Sequence, residues 1–535
     1  MPSQRARPED DPVTPALDLS GVHWIPKVTQ VPALEANLCI DPIPVTLTTT
    51  TAAAPASSAA VPIVVKPLEA DEALKVAKQK LSAGKPQEAL RELAPVMERD
   101  DAPADVWAVA GWAWWKLAQE GGDPGSYAEA AAAFEQALRR DPQRGEMSSC
   151  IARCLLLQAG GEPVSVRASL LDRAIANFKN AVDAQHAPGP KLLIDWGDAL
   201  FQRATLMDAT EYPSRSVELL KAAEVALRQA VTAGDGSAGN AVWLLHQVLR
   251  VRADTLPARE ADALLMDADA LLLAGASAAA EPQRPLWLAA RIENGLAWAD
   301  RANAADRLLR LRSLREQHHA MLDGDEAPPL CLLAWVELLG REAALLRGAG
   351  ARAKLEEGAA VLRRLKVALP GDLRVPVTHA RLLRMRAHHE RGGTRLATLS
   401  EAAAQLAPLL AREDATELRL ESARIALEQA AMLPATEATP YYAAASALAE
   451  PLLASHWSNA ALHCLLEARL GGDPNAVEAE LAAHLFAVAE HDPAARLLIA
   501  ESAERAGDAR AASAHREAAM RPSHARDPRG LQRWH

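Results

Sequence analysis

The chain runs to 535 residues, of which 50% are hydrophobic, 24% charged and only 4% aromatic, and its formal charge is −11. That length and apolar share provide for several core layers and exclude a largely disordered chain, while 28 Gly exclude a collagen-like chain and five Cys a small disulfide scaffold. The net acidity opposes wholesale binding to nucleic acid or an anionic membrane. An apolar half dominated by Ala and Leu, with 12 Trp against four Phe and four Tyr, suits closely packed helices rather than β-sandwiches or barrels.

Residues 1–66 are rich in Pro, Thr, Ser and Ala, lack helical periodicity, and are predicted to form a disordered arm. One apolar island interrupts it, with Leu17, Leu19, Val22, Trp24, Ile25 and Val28, and Val22, Trp24 and Ile25 mark a docking segment. Arg5 and Arg7 are followed by Glu9, Asp10 and Asp11, so no apolar signal region begins there. The uncharged run 42–65 is long enough to cross a bilayer. It contains Pro42, Pro44, Pro55, Pro62 and a Thr48–Thr51 tract, and reads as a linker instead. With an odd set of cysteines, the expected compartment is a reducing one, the cytoplasm.

From Leu68 to about Ala519 the texture changes to helical runs of roughly 12–20 residues, punctuated by Gly, Pro and Asp-containing turns. Within the segment that starts at Trp107, small residues (Gly111, Ala130, Ala137) alternate with large rings (Trp107, Trp114, Phe134), and Pro142 stops the second helix. The string from Ala131 to Pro142 and its upstream Trp and Gly resemble the tetratricopeptide repeat, apart from an enlarged turn over Glu120–Tyr127. Partial copies flank it. Gly84, Ala89, Leu93 and Val96 lie upstream; Ala174, Phe178 and Ala181, and then Trp196, Gly197, Ala223, Leu227 and Ala230, lie downstream.

Past residue 236 the signature decays while the hairpin rhythm persists. Pairs are predicted at 239–252 with 259–275, 284–301 with 304–322, 328–347 with 351–369, and 374–391 with 398–412. The expected organisation is an arm (1–66), tetratricopeptide-like repeats (67–235), degenerate helical-hairpin repeats (236–520) and a loose tail (521–535). The fold implied is an all-α, right-handed solenoid of such hairpins.

The residues that invite chemistry have blander readings. Cys150 and Cys154 sit one helical turn apart but lack further ligands nearby, and adjacent histidines at 318–319 and 388–389 point about 100° apart. No phosphate loop, nucleophile elbow or HExxH motif occurs. The expectation is therefore a chain without catalytic, cofactor or metal residues, acting as a non-enzymatic adaptor for a protein or peptide in a larger assembly. Ala-rich, Arg-over-Lys usage points to a GC-rich bacterial genome.

In the resembled family the first helix of each repeat lines the groove, which implies Lys75, Lys78, Trp112, Lys116 and Asp198 as contacts. Helical geometry places the indoles at 107, 112, 114 and 115 mainly in core packing, with Trp112 and Trp115 the pair nearest a groove. Helices near 71–81, 104–118 and 146–157 hold no Asn, against the carboxylate clamp of chaperone-tail receptors. Residues 301–396 carry 18 basic against 11 acidic side chains. There Arg310, Arg381 and Arg384 mark a basic stripe for an acidic partner, a second copy of the chain or, less favoured, nucleic acid. A regulatory subunit of an enzyme is the remaining alternative, recognisable by a buried polar cluster.

Overall fold

A computed structural model describes residues 70–520 except 122–123, 186, 207–213, 235–237, 257, 281–282, 303, 323–326, 413–414, 454–458, 473–498, 501–502 and 505–508. The arm with Val22, Trp24 and Ile25 and the tail 521–535 lie outside the described residues. Among the described residues every longer regular element is an α-helix.

The described part of Ile25–Pro188 forms one compact unit. It comprises Ala70–Ser82 (α1), Pro86–Met97 (α2), Ala104–Gly121 (α3), Pro124–Arg140 (α4), Gly145–Ala159 (α5) and Val164–Asp183 (α6). Consecutive helices pair as hairpins, and each second helix also packs on the first helix of the next pair. Gly84 turns the first hairpin with φ +71°, which an L side chain rarely adopts, and Pro86 opens α2, where its missing N–H costs nothing.

The small and large residues of the repeat signature make the core. Ala89, Leu93, Ala130, Phe134, Ala137, Ala174 and Phe178 are all fully buried. Gly111 explains the close crossing of α3 and α4, since a Cβ there would lie 2.6 Å from the Phe134 ring.

The described part of Gly189–His535 forms the second unit. Its helices are Pro190–Thr205 (α7), Ser214–Ala233 (α8), Ala238–Ala253 (α9), Ala258–Ala278 (α10), Arg284–Asp300 (α11), Ala304–Leu322 (α12), Pro329–Leu345 (α13), Ala349–Ala368 (α14), Arg374–Ala387 (α15), Gly392–Leu410 (α16), Thr416–Ala430 (α17), Ala435–Leu453 (α18), Asn459–Gly472 (α19) and Ala509–Met520 (α20). The hairpins predicted past residue 236 are present within a few residues of their expected bounds. The same close approach recurs, with a Cβ on Gly197 falling 2.7 Å from Leu227 and one on Gly295 2.6 Å from Leu314.

α13 is apolar almost all round, and Cys331, Trp335, Leu338 and Leu339 hold the centre of the core built from α11 to α15. The break between the two units falls at Pro188 and Gly189, ahead of the 235/236 boundary read from the fading signature. A fading signature records residue identity, whereas the break records where packing is interrupted.

Candidate binding surfaces

In the first unit a groove of about 380 Å³ opens between α2 and α3, lined by Leu90, Ala94, Met97, Glu98, Trp107 and Trp114. Its origin is a double apolar stripe on α2. Ala89, Leu93 and Val96 enter the core, while Leu90, Ala94 and Met97, one residue further on, form a second row. α3 is buried on most of its circumference; Trp107 and Trp114 line its α2 side, and Trp115 lies on the side that meets α4. The Arg140 guanidinium stacks 5.0 Å from the Trp107 ring centre and donates from Nε to the Ala102 carbonyl at 2.8 Å, which fixes that indole.

Trp115, expected beside Trp112 as the pair nearest a groove in a cluster otherwise packed as core, lies in the core itself. It is 2% exposed and meets Tyr127 edge-on at 5.5 Å, because residue 115 shares the α4-facing side with Gly111. Trp112 is partly buried, edge-on to Phe134 at 5.2 Å and to Trp115 at 6.4 Å. Lys75 and Lys78 are exposed on α1, and Lys116 is partly buried on α3.

Asp198, partly buried on α7, accepts a 3.0 Å hydrogen bond from Gln202. Burial raises its carboxyl to about 6, the Gln202 bond opposes the shift, and Asp195 one turn away adds to it. Ionisation therefore opposes folding: native stability falls as pH rises from about 4 to 6. Asp198→Asn keeps the hydrogen bond and is expected to stabilise the second unit by about 1–2 kcal/mol at pH 7, with the gain absent below about pH 4. Urea unfolding at the two pH values measures this, and a gain independent of pH would contradict it.

The basic region is organised as a ladder of ion pairs inside the second unit. Arg228 on α8 reaches Asp267 on α10, Arg250 on α9 reaches Glu293 on α11 at 3.4 Å, and Arg310 on α12 returns to Asp262 on α10 at 2.8 Å. Arg341 on α13 binds Asp300 on α11. Arg381 on α15 bridges Glu337 on α13 at 3.0 Å and Glu421 on α17 at 3.3 Å, and Arg384 binds Glu421 at 2.6 Å and Glu428 at 2.9 Å. The partners lie 37 to 48 residues apart, one hairpin repeat, so each rung joins corresponding helices of neighbouring hairpins.

Arg310, Arg381 and Arg384 are thus engaged within the chain, Arg310 also stacking 4.1 Å from the Trp298 ring centre. Buried polar groups are present, as a regulatory or catalytic reading requires, but the carboxylates are held ionised. Burial alone would raise the Glu421 carboxyl; the adjacent Arg384, Arg381 and Arg424 lower it to about 2, and Glu337 is lowered likewise. Carboxylates held so far below neutral pH are poor general acids. Arg363 and Arg364, beside Val367, line a groove of about 680 Å³ on α13 and α14.

Cys150 and Cys154 are core residues. Burial pushes the Cys150 thiol up to about 11 and Cys154 well above its ordinary value, which disfavours the thiolate needed for a metal or a nucleophile. Two of the adjacent histidines lie against other helices. His318 is 3% exposed, and burial lowers it to about 4; His388 lies 3.5 Å from Glu428 at the ladder's end. No cluster of three metal-ligating side chains occurs among the described residues, and none of their helices is long and apolar enough to cross a membrane.

No family model matches the chain, and no curated protein matches it. Among solved structures, a chain of Naa15/Naa10 bound to HypK-THB is similar at 14% identity and a TM-score of 0.31, over 84% of this chain and 63% of that one. The human IFIT1 dimer with m7Gppp-AAAA is similar at 12% identity and a TM-score of 0.33, over 85% and 90% of the two chains. A monomeric IFIT1 variant with Gppp-AAAA is similar at 14% and 0.33, over 85% and 91%. This chain spans less than two thirds of the Naa15/Naa10 chain it matches. Similarities at this level define neither a site nor a partner.

Proposed function

We propose that this protein is a non-enzymatic, tetratricopeptide-like scaffold that holds a protein or peptide partner and supports assembly of a larger complex. The observation that carries the reading is the groove between α2 and α3, where two partly buried indoles and Met97 offer rigid apolar anchors beside the acidic Glu98. Half-buried aromatic anchors in a pocket are where most interface energy concentrates. The ion-pair ladder supports the same reading from the other side, since it commits Arg310, Arg381 and Arg384 to joining hairpins and leaves a nucleic-acid stripe with little to stand on.

The test is affinity capture from the native host with the full chain, Trp114→Ala, Glu98→Lys and, as a control on the distant groove, Arg363→Glu. Polypeptides retained by the parent are expected to bind Trp114→Ala about 30- to 1,000-fold more weakly and Arg363→Glu unchanged. Equal retention by all four proteins, or a shift in RNA mobility at low salt that matches or exceeds protein capture, would defeat the proposal.

A further inference from the structure

We infer that the α2/α3 groove is the seat of this chain's own segment Val61–Leu68, which folds back over Trp107 and Trp114 as an extended, proline-bounded peptide. The ligand class is an apolar stretch flanked by prolines and followed by a cation. The described chain starts at Ala70, which packs against the same core cluster as Leu90, Met97 and Trp107. α1 and α2 are antiparallel across a tight turn at Gly84, so Ala70 lies at the end of the hairpin where α2 finishes with Met97 and Glu98. The groove therefore opens beside the point where the preceding residues must arrive.

Those residues are Val61, Pro62, Ile63, Val64, Val65, Lys66, Pro67 and Leu68. Pro62 and Pro67 fix their own φ, and each also disfavours helix for the residue before it, so the stretch is set to be extended and loses little entropy on docking. In an extended chain Ile63, Val65 and Pro67 share one side, the arrangement that lays aliphatic and proline surface on indole rings. Lys66, on the other side, is placed to meet the exposed Glu98, which has no ion pair among the described residues. From Val65 to Ala70 an extended chain reaches about 17 Å.

The Trp24 segment carries an aromatic of its own, but its tether to Ala70 is longer. The entropy of closing a 46-residue rather than a 5-residue tether lowers its local concentration roughly thirty-fold. The groove is shared with the proposed partner site, but the docking concerns only this chain and stands or falls whether or not a partner binds.

Hydrogen exchange of the full-length protein, followed by mass spectrometry, tests it. The amides of Ile63 to Lys66 are expected to exchange at least about tenfold more slowly than in a free peptide of that sequence. Trp114→Ala should abolish the protection while exchange in α5 stays unchanged, which separates loss of the contact from loss of the fold. Glu98→Lys, at an exposed position, should weaken it, and Lys66→Glu added to Glu98→Lys should restore it. Free-peptide exchange over 61–68 in the parent, or protection indifferent to Trp114→Ala, overturns the inference. Trp114-dependent protection over residues 22–28 instead would assign the groove to the Trp24 segment and overturn it equally.

Discussion

Replacing Glu421 with alanine is expected to destabilise the second unit by about 3–5 kcal/mol. Glu421 is fully buried on α17, and its two oxygens receive Arg384 at 2.6 Å and Arg381 at 3.3 Å, with Arg424 3.7 Å away. Removing it leaves Arg384 with Glu428 and Arg381 with Glu337 as their remaining carboxylates, so two buried cations share fewer counter-charges, and the cost is the desolvation that Glu421 now offsets. Glu421→Gln retains acceptor and volume but not charge, and is expected to fall between parent and alanine variant. Urea unfolding measures the loss, with hydrogen exchange in α15 and α17 reporting where it acts.

The same residue sets an acid limb. Its native value of about 2 lies below the ordinary 4.5, so its contribution is full above about pH 4.5 and drains away as pH falls toward 2. The alanine variant should lose stability less steeply across that window. A loss below about 1 kcal/mol, or an unaltered acid limb, would mean that the pair is not a net support.

The second large effect concerns the α3/α4 crossing. Phe134→Ala is expected to cost about 3–5 kcal/mol, since a fully buried ring leaves a cavity that helices on both sides hold open. Gly111→Ala is expected to cost about 1–3 kcal/mol although alanine is the better helix former by about 1 kcal/mol, because the new methyl collides with that ring. Combined, the two should not add. With the ring gone, Gly111→Ala becomes neutral or mildly stabilising, a coupling of about 1–3 kcal/mol in the double-mutant cycle. Additive losses in urea unfolding would show that the two positions are not in contact.

The residues that were easiest to read are those whose role follows from size. Gly111 against Phe134 and Gly197 against Leu227 could be picked out because a close helix crossing needs a missing side chain opposite a large one, and that requirement is visible in a single sequence. The hairpins past residue 236 were visible through their breakers alone. The α2/α3 groove was not visible. Its clue, a second apolar row at Leu90, Ala94 and Met97 beside the core row, carries meaning only once the width that α1 and α3 cover is known. The indoles followed suit: a wide apolar stripe on α3 does not reveal which edge faces a thin neighbour, so Trp115 and Trp114 exchanged roles.

The ion pairs of the basic region were not legible for a reason of range. Arg301, Arg310, Arg341, Arg381 and Arg384 lie within 301–396, whereas their partners Asp254, Asp262, Asp300, Glu421 and Glu428 lie outside it; Glu337, which pairs with Arg341 and Arg381, lies inside. Electrostatic complementarity in a repeat array operates at the length of the repeat, and a charge census has to be taken at that spacing.

Because each rung of the ladder joins a cation on one hairpin to a carboxylate on a neighbouring one, the hairpins of the second unit are not interchangeable bricks. Excising the α15/α16 pair would bring Glu337 to face Glu421 with neither Arg381 nor Arg384 between them. Growth or loss of whole repeats, the usual way such arrays change length, is therefore penalised here, and the order of the hairpins is written into the protein as firmly as their shape.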